Sequence, residues 1–89
     1  MKAIITVIGK DKVGIIALAS TECAKHGANI LDISQTVMRD YFSMIMLVEI
    51  DGLEKDFRTF ADDMISVGKE NGVDIRVMHE DIFNSMHRI

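Results

Sequence analysis

The strongest constraint on this chain is the order in which its hydrophobic period changes. Residues 3–8 form a short, β-branched, nearly all-apolar run that ends at Gly9, the pattern of a strand covered on at least one face. After a polar loop, Val13, Ile16, Ala19, Ser20, Cys23, Ala24 and Gly27 recur at helical spacing, with Thr21, Glu22 and Lys25 opposite. This predicts a helix with a small-residue face, able to lie close on a sheet and ended at His26-Gly27 by a left-handed glycine. From Asn29 the period becomes two, with Leu31, Ile33, Gln35 and Val37 on one side and Ile30, Asp32, Ser34, Thr36 and Met38 on the other. Arg39-Asp40 interrupts it. Residues 41–50 resume the alternation, with Phe42, Met44, Met46, Val48 and Ile50 on one face, so two strands joined this tightly predict a hairpin. Beyond Asp51-Gly52, Leu53, Phe57, Phe60, Ala61, Met64 and Gly68 make the apolar stripe of a second helix that stops at Asn71-Gly72. Val73, Ile75 and Val77 then alternate with Asp74 and Arg76 as a fourth strand. In the tail, Ile82, Phe83 and Met86 suit one or two more helical turns.

The order βαββαβ, with right-handed crossovers, most simply closes into an α+β ferredoxin-like fold: a four-stranded antiparallel sheet with both helices on one face. The absence of Pro, of a Ser/Gly-rich linker and of any block of like charge leaves no internal boundary. One domain over residues 1–80 and a C-terminal extension over 81–89 are expected. The sheet face without helices would carry Ile4, Ile8, Ile45 and Leu47 beside Thr6, Ser34, Thr36 and Glu49. Either the tail or a partner is expected to cover that face. A chain of 89 residues buries only about 60% of its unfolded surface, which also favours association.

Composition excludes several kinds of chemistry. The lone cysteine, Cys23, permits no intrachain disulfide and no paired-thiolate metal site, and it fits a reducing cytoplasm. The first apolar run is too short for a signal peptide, and no apolar stretch approaches the ~18 residues of a membrane span. Lys+Arg 10 against Asp+Glu 14 gives a formal net charge of -4, and the basic residues are scattered. Direct nucleic-acid binding, which needs clustered cations, is not expected. Among ferredoxin-like proteins, acylphosphatases require an arginine in the first loop, where this chain has only lysines; RNA-recognition domains require paired sheet aromatics in a basic motif. The Gly9 to Gly14 spacing lacks the Lys and Ser/Thr of a phosphate loop, since Ile15-Ile16 stands there. His79-Glu80-Asp81 with His87 lacks the spacing of a zinc peptidase helix. With no set of nucleophile, base and orienting group, no catalytic residue, metal or cofactor is expected, and the chain is read as a non-enzyme.

The first loop retains one useful property. A strand ending in Gly9 feeds a helix whose first N–H groups are unpaired, a setting suited to a carboxylate. Capping of the helix by Asp11 accounts for the same residues.

Together, Gly9-Lys10-Asp11-Lys12-Val13-Gly14-Ile15 and His26-Gly27-Ala28-Asn29-Ile30-Leu31-Asp32-Ile33 resemble an ACT domain over about residues 3–80. The resemblance is to the small stand-alone ACT proteins of the UPF0237 group, related to glycine-cleavage transcriptional repressors. It implies a regulatory amino-acid-binding module that pairs side by side and holds ligand at the homodimer interface. Carried onto this chain, the implied ligand-binding residues are Gly9, Asp11, Val13 and Gly14 in the loop, with Asn29, Ile30 and Leu31 at the second strand start. Asn29 would be a polar contact, because its amide both donates and accepts. N–H groups near Val13 and Gly14 would receive a carboxylate. Serine-binding members present His and Asn where this chain has Gly9 and Asp11, and an acidic Asp11 favours an ammonium over a carboxylate. The expected function is therefore a cytoplasmic sensor, a homodimer or higher homo-oligomer, that binds an amino acid or similar molecule and modulates a protein partner. The alternative is a ligand-free interaction module that uses the open sheet face or the tail.

Overall fold

The computed structural model describes residues 1–10 and 14–86. Seven elements follow in order: β1 (Lys2–Lys10), α1 (Ile15–His26), β2 (Asn29–Met38), β3 (Tyr41–Glu49), α2 (Phe57–Glu70), β4 (Asp74–His79) and α3 (Glu80–Met86). The strands form one antiparallel sheet in the order β2-β3-β1-β4, the ferredoxin-like arrangement. β1 runs on through Gly9 and Lys10, beyond the expected end at Ile8, because both still pair with Phe42 and Tyr41 of β3.

Cross-strand partners share a face, so the register sorts the side chains. Ala3, Ile5 and Val7 of β1, Phe42, Met44, Met46 and Val48 of β3 and Ile75 of β4 are buried under the helices. α2 closes this core with Phe60 and Met64, both fully buried, while Leu53 and Phe57 pack on its margin. Asp56 caps α2, its carboxylate accepting from the Thr59 N–H at 2.8 Å. That bond holds the Asp56 carboxyl below its ordinary pKa.

α1 turns a different face inward from the one expected. Ile15, Ala19, Cys23 and His26 are buried, while Ile16 is 39% exposed and Ala24 faces out. Adjacent isoleucines offer two nearly equivalent stripes, and the one that also carries His26 is the one buried; Val13 lies outside the described residues. Burial pushes the Cys23 thiol up to about 11, so it is protonated and inert at neutral pH. The helix ends at Gly27, with φ 81°. A Cβ there would run into the Gly52 carbonyl oxygen, and the Glu54 N–H donates to the His26 carbonyl at 3.1 Å. The β3–α2 connection thus clasps the end of α1.

β2 also departs from simple alternation. Its register with β3 shifts between Ile30 and Asp32, leaving Leu31 as the extra residue of a bulge. Ile30, opposite Val48, therefore joins Ile33, Gln35 and Val37 on the helix side instead of facing away from them. The two-residue turn to β3 puts Arg39 at φ 56°, as a tight hairpin of the right twist requires. α3 supplies the anticipated helical turns; His87, Arg88 and Ile89 lie outside the described residues.

Candidate functional site

The expected ligand-binding residues fall at two places. The first is the end of β1 and the start of α1. Gly9 points to the helix side, where a Cβ would come within 2.8 Å of Val73 Cγ1, so packing alone accounts for this glycine. Gly14 is different. It holds φ 91° at the N-cap of α1, makes no side-chain capping bond, and has nothing within 4 Å of where a Cβ would stand. The Leu18 N–H donates to the Gly14 carbonyl at 2.9 Å, so the N–H groups of Ile15, Ile16 and Ala17 precede the first full turn of helical bonding. Asp11 and Val13 lie outside the described residues.

A cleft of about 610 Å³ opens beside this helix start. Gly14, Ile15 and Leu18 wall it on one side; Lys69, Gly72 and Val73 wall it on the other. Sequence reasoning identified Asn71-Gly72 only as the stop of α2, and no local signal places that turn against the first loop. Their meeting follows from β4 lying beside β1.

The second place is the start of β2. Asn29 is exposed and pairs with Glu49, Ile30 is half-buried against the core, and Leu31 is 46% exposed at the bulge. Glu49 is itself engaged, accepting from the Met1 ammonium at 2.9 Å. That ammonium also donates to Asp51 at 2.8 Å, and the two bonds, Asp51 first, raise its pKa while Asp51 is lowered.

The two places lie at opposite ends of the sheet. Lys2, at the start of β1, pairs with Glu49, which also pairs with Asn29, whereas Gly9 and Lys10 mark the far end of the same strand. The eight rises of ~3.3 Å between the ends of the nine-residue β1 separate the two by roughly 26 Å. One protomer does not bring Asn29 to Gly14. Between them, β2 is the outermost strand, ten residues long and exposed at every position except Ile30.

Among the described residues no group of His, Cys, Asp and Glu is placed to hold a metal ion, and no helix is long and apolar enough to cross a membrane. His26 bridges the helices instead: its Nε2 lies 3.3 Å from Asp63 Oδ2, and its ring meets Phe60 edge-on at 5.4 Å.

The fold is thus a ferredoxin-like sheet with a cleft beside the glycine-led start of its first helix. The sequence model of the ACT domain matches residues 2–78. A UPF0237 protein of Clostridium perfringens is 52% identical over 89 residues, covering 100% of both chains. One from Methanocaldococcus jannaschii is 49% identical over 88 residues, covering 99% of this chain and 98% of its own. The solved structure of an ACT domain protein from Streptococcus pneumoniae superposes with a TM-score of 0.83 at 44% identity, covering 98% of each chain. The chain belongs to the ACT domain family, in its UPF0237 group. ACT domains are in general small-ligand-binding regulatory modules, and they commonly dimerise and bind amino acids.

Proposed function

We propose that this chain is a cytoplasmic amino-acid sensor that works as a homodimer joined through β2, with each ligand site completed across the subunit boundary. The observation that carries this reading is the separation of the two half-sites along one protomer, with a bare strand edge between them. When two β2 edges pair antiparallel about a twofold axis, the start of one β2 moves toward the end of the other. That operation carries Asn29 of one copy toward the Gly14 end of its neighbour. The N–H groups of Ile15, Ile16 and Ala17 then face a ligand carboxylate, and the Asn29 amide, with Ile30 and Leu31 beside it, meets the remainder of the ligand. Gly9 keeps the floor close-packed. Asp11 and Val13 belong to the same loop, and the Asp11 carboxylate suits the ligand's ammonium group. Ligand that binds only the pair stabilises the pair, so its concentration is read out as assembly and as the surface offered to a protein partner.

Thermal-shift screening of the amino acids, repeated at two protein concentrations, tests this. An amino acid at ~100 times its Kd contributes about 2.7 kcal/mol, which raises Tm by roughly 10 °C or more in a domain of this size. Asn29→Ala, at an exposed position, is expected to abolish the shift while leaving the unliganded Tm unchanged. Absence of any shift across the panel, with the dimer intact, transfers the role to a ligand-free interaction module.

A further inference from the structure

We infer that the helix-free face of the sheet is a second self-association surface, occupied by the same face of another copy. This does not rest on the ligand reading or on pairing through β2. The register places Ile4, Leu47 and Met78 side by side across three strands, with Ile45 and Ile8 in the next rows. Ile45 is 49% and Ile8 51% exposed. An antiparallel sheet with one solvated face ordinarily alternates apolar inward and polar outward; here the two central strands are apolar on both sides. α3 contacts β1 and β4; Ile4, Leu47 and Met78 are half-buried, Ile8 and Ile45 remain exposed, and α3 adds exposed Ile82 and Met86 of its own.

Three features select a second copy as the occupant. The molecule measures 34 × 34 × 19 Å, so its broad faces match the ~800 Å² per partner that a stable interface buries. Thr6 interrupts the apolar centre between Ile4 and Ile8, the hydroxyls of Ser34 and Ser43 flank it, and the charges stand on the edge strands and strand ends, toward the rim of the face. Those charges cancel: Lys2, Lys10 and Arg76 oppose Asp32, Glu49 and Asp74, on a chain whose formal net charge is -4. An acidic or basic partner finds no excess of either sign there. Two copies of this chain set no like-signed patch against one another on this face.

Light scattering coupled to size exclusion, on the wild type, Ile45→Glu and Ile8→Glu, provides the test. Both substitutions lie on interior strands at half-exposed positions, so circular dichroism and Tm are expected to stay close to wild type. The wild type is expected as an even multiple of the 10.0 kDa chain, and either glutamate is expected to halve that mass. A wild type that remains a single chain at high concentration overturns the inference. So does a folded Ile45→Glu and Ile8→Glu pair that keeps the wild-type mass, which leaves the face to a different protein.

Discussion

The two long helices solve the same packing problem in opposite ways. α2 begins on a side-chain cap, Asp56, and sets large residues, Phe60 and Met64, into the core along β4. α1 begins on an uncapped left-handed glycine and offers only Ile15, Ala19, Cys23 and His26 to the interior. Helix ends left without internal partners are unfavourable unless water or a ligand satisfies them. Stability is therefore concentrated in α2, whereas Gly14 gives the start of α1 no side-chain cap.

The largest expected effect tests the α2 side of this contrast. Phe60→Ala empties a fully buried position and is expected to cost about 3–5 kcal/mol. That is a large part of the ~5–15 kcal/mol available to a small domain, and it is measured by denaturant unfolding. A loss no greater than that of Ala19→Gly in α1 would break the comparison.

The two glycines that bound α1 sharpen it. Gly14 and Gly27 share a positive φ, at 91° and 81°, but only at Gly27 does a Cβ strike backbone, the Gly52 carbonyl. Gly27→Ala is expected to cost roughly 3 kcal/mol, and Gly14→Ala only about 1 kcal/mol, the penalty for the backbone conformation alone. Chemical denaturation of both variants gives the ratio; equal losses would mean that the clasp on the end of α1 carries no strain.

The smallest effect concerns pH. The Thr59 N–H lowers the pKa of Asp56 in the folded chain. A lowered folded value means stability present above the ordinary carboxylate pKa and lost as pH falls through the folded one. Asp56→Ala is expected to lower Tm by a few degrees at pH 7 and to match the wild type once the native carboxyl is protonated. Melting curves from pH 7 down to pH 2 follow the convergence, and a constant difference across that range would assign the effect to something other than the cap.

Much of this architecture is legible in local pattern. The switch from period two to 3.6 marks each element, and the stripe from Phe57 to Gly68 identifies the packed side of α2. Reading fails where two local solutions have similar energy. Ile15 and Ile16 define stripes one residue apart, and only burial of His26 against Phe60 and Asp63 decides between them. Leu31 continues the alternation in sequence, yet it is the extra residue of a bulge, because pairing with β3 rather than local preference sets the register. At the candidate site, Gly14 and Asn29 were legible as a helix start and a strand start. Their separation to opposite ends of the sheet, and the wall formed by Lys69 and Val73, arise from strand order and have no short-range signature.

The two borders of the sheet differ in how readily they would accept a further strand. β2 is a ten-residue border with Asp32 as its one charged residue, a template to which further strands would add without limit. The opposite border, β4, is six residues long and carries Asp74 and Arg76, features that discourage docking by a stray strand. In the proposed dimer, two chains joined along β2 would present only β4 to the outside. Growth is then arrested after a single pairing, and the bulge at Leu31, which disfavours a slipped register, makes that one pairing specific.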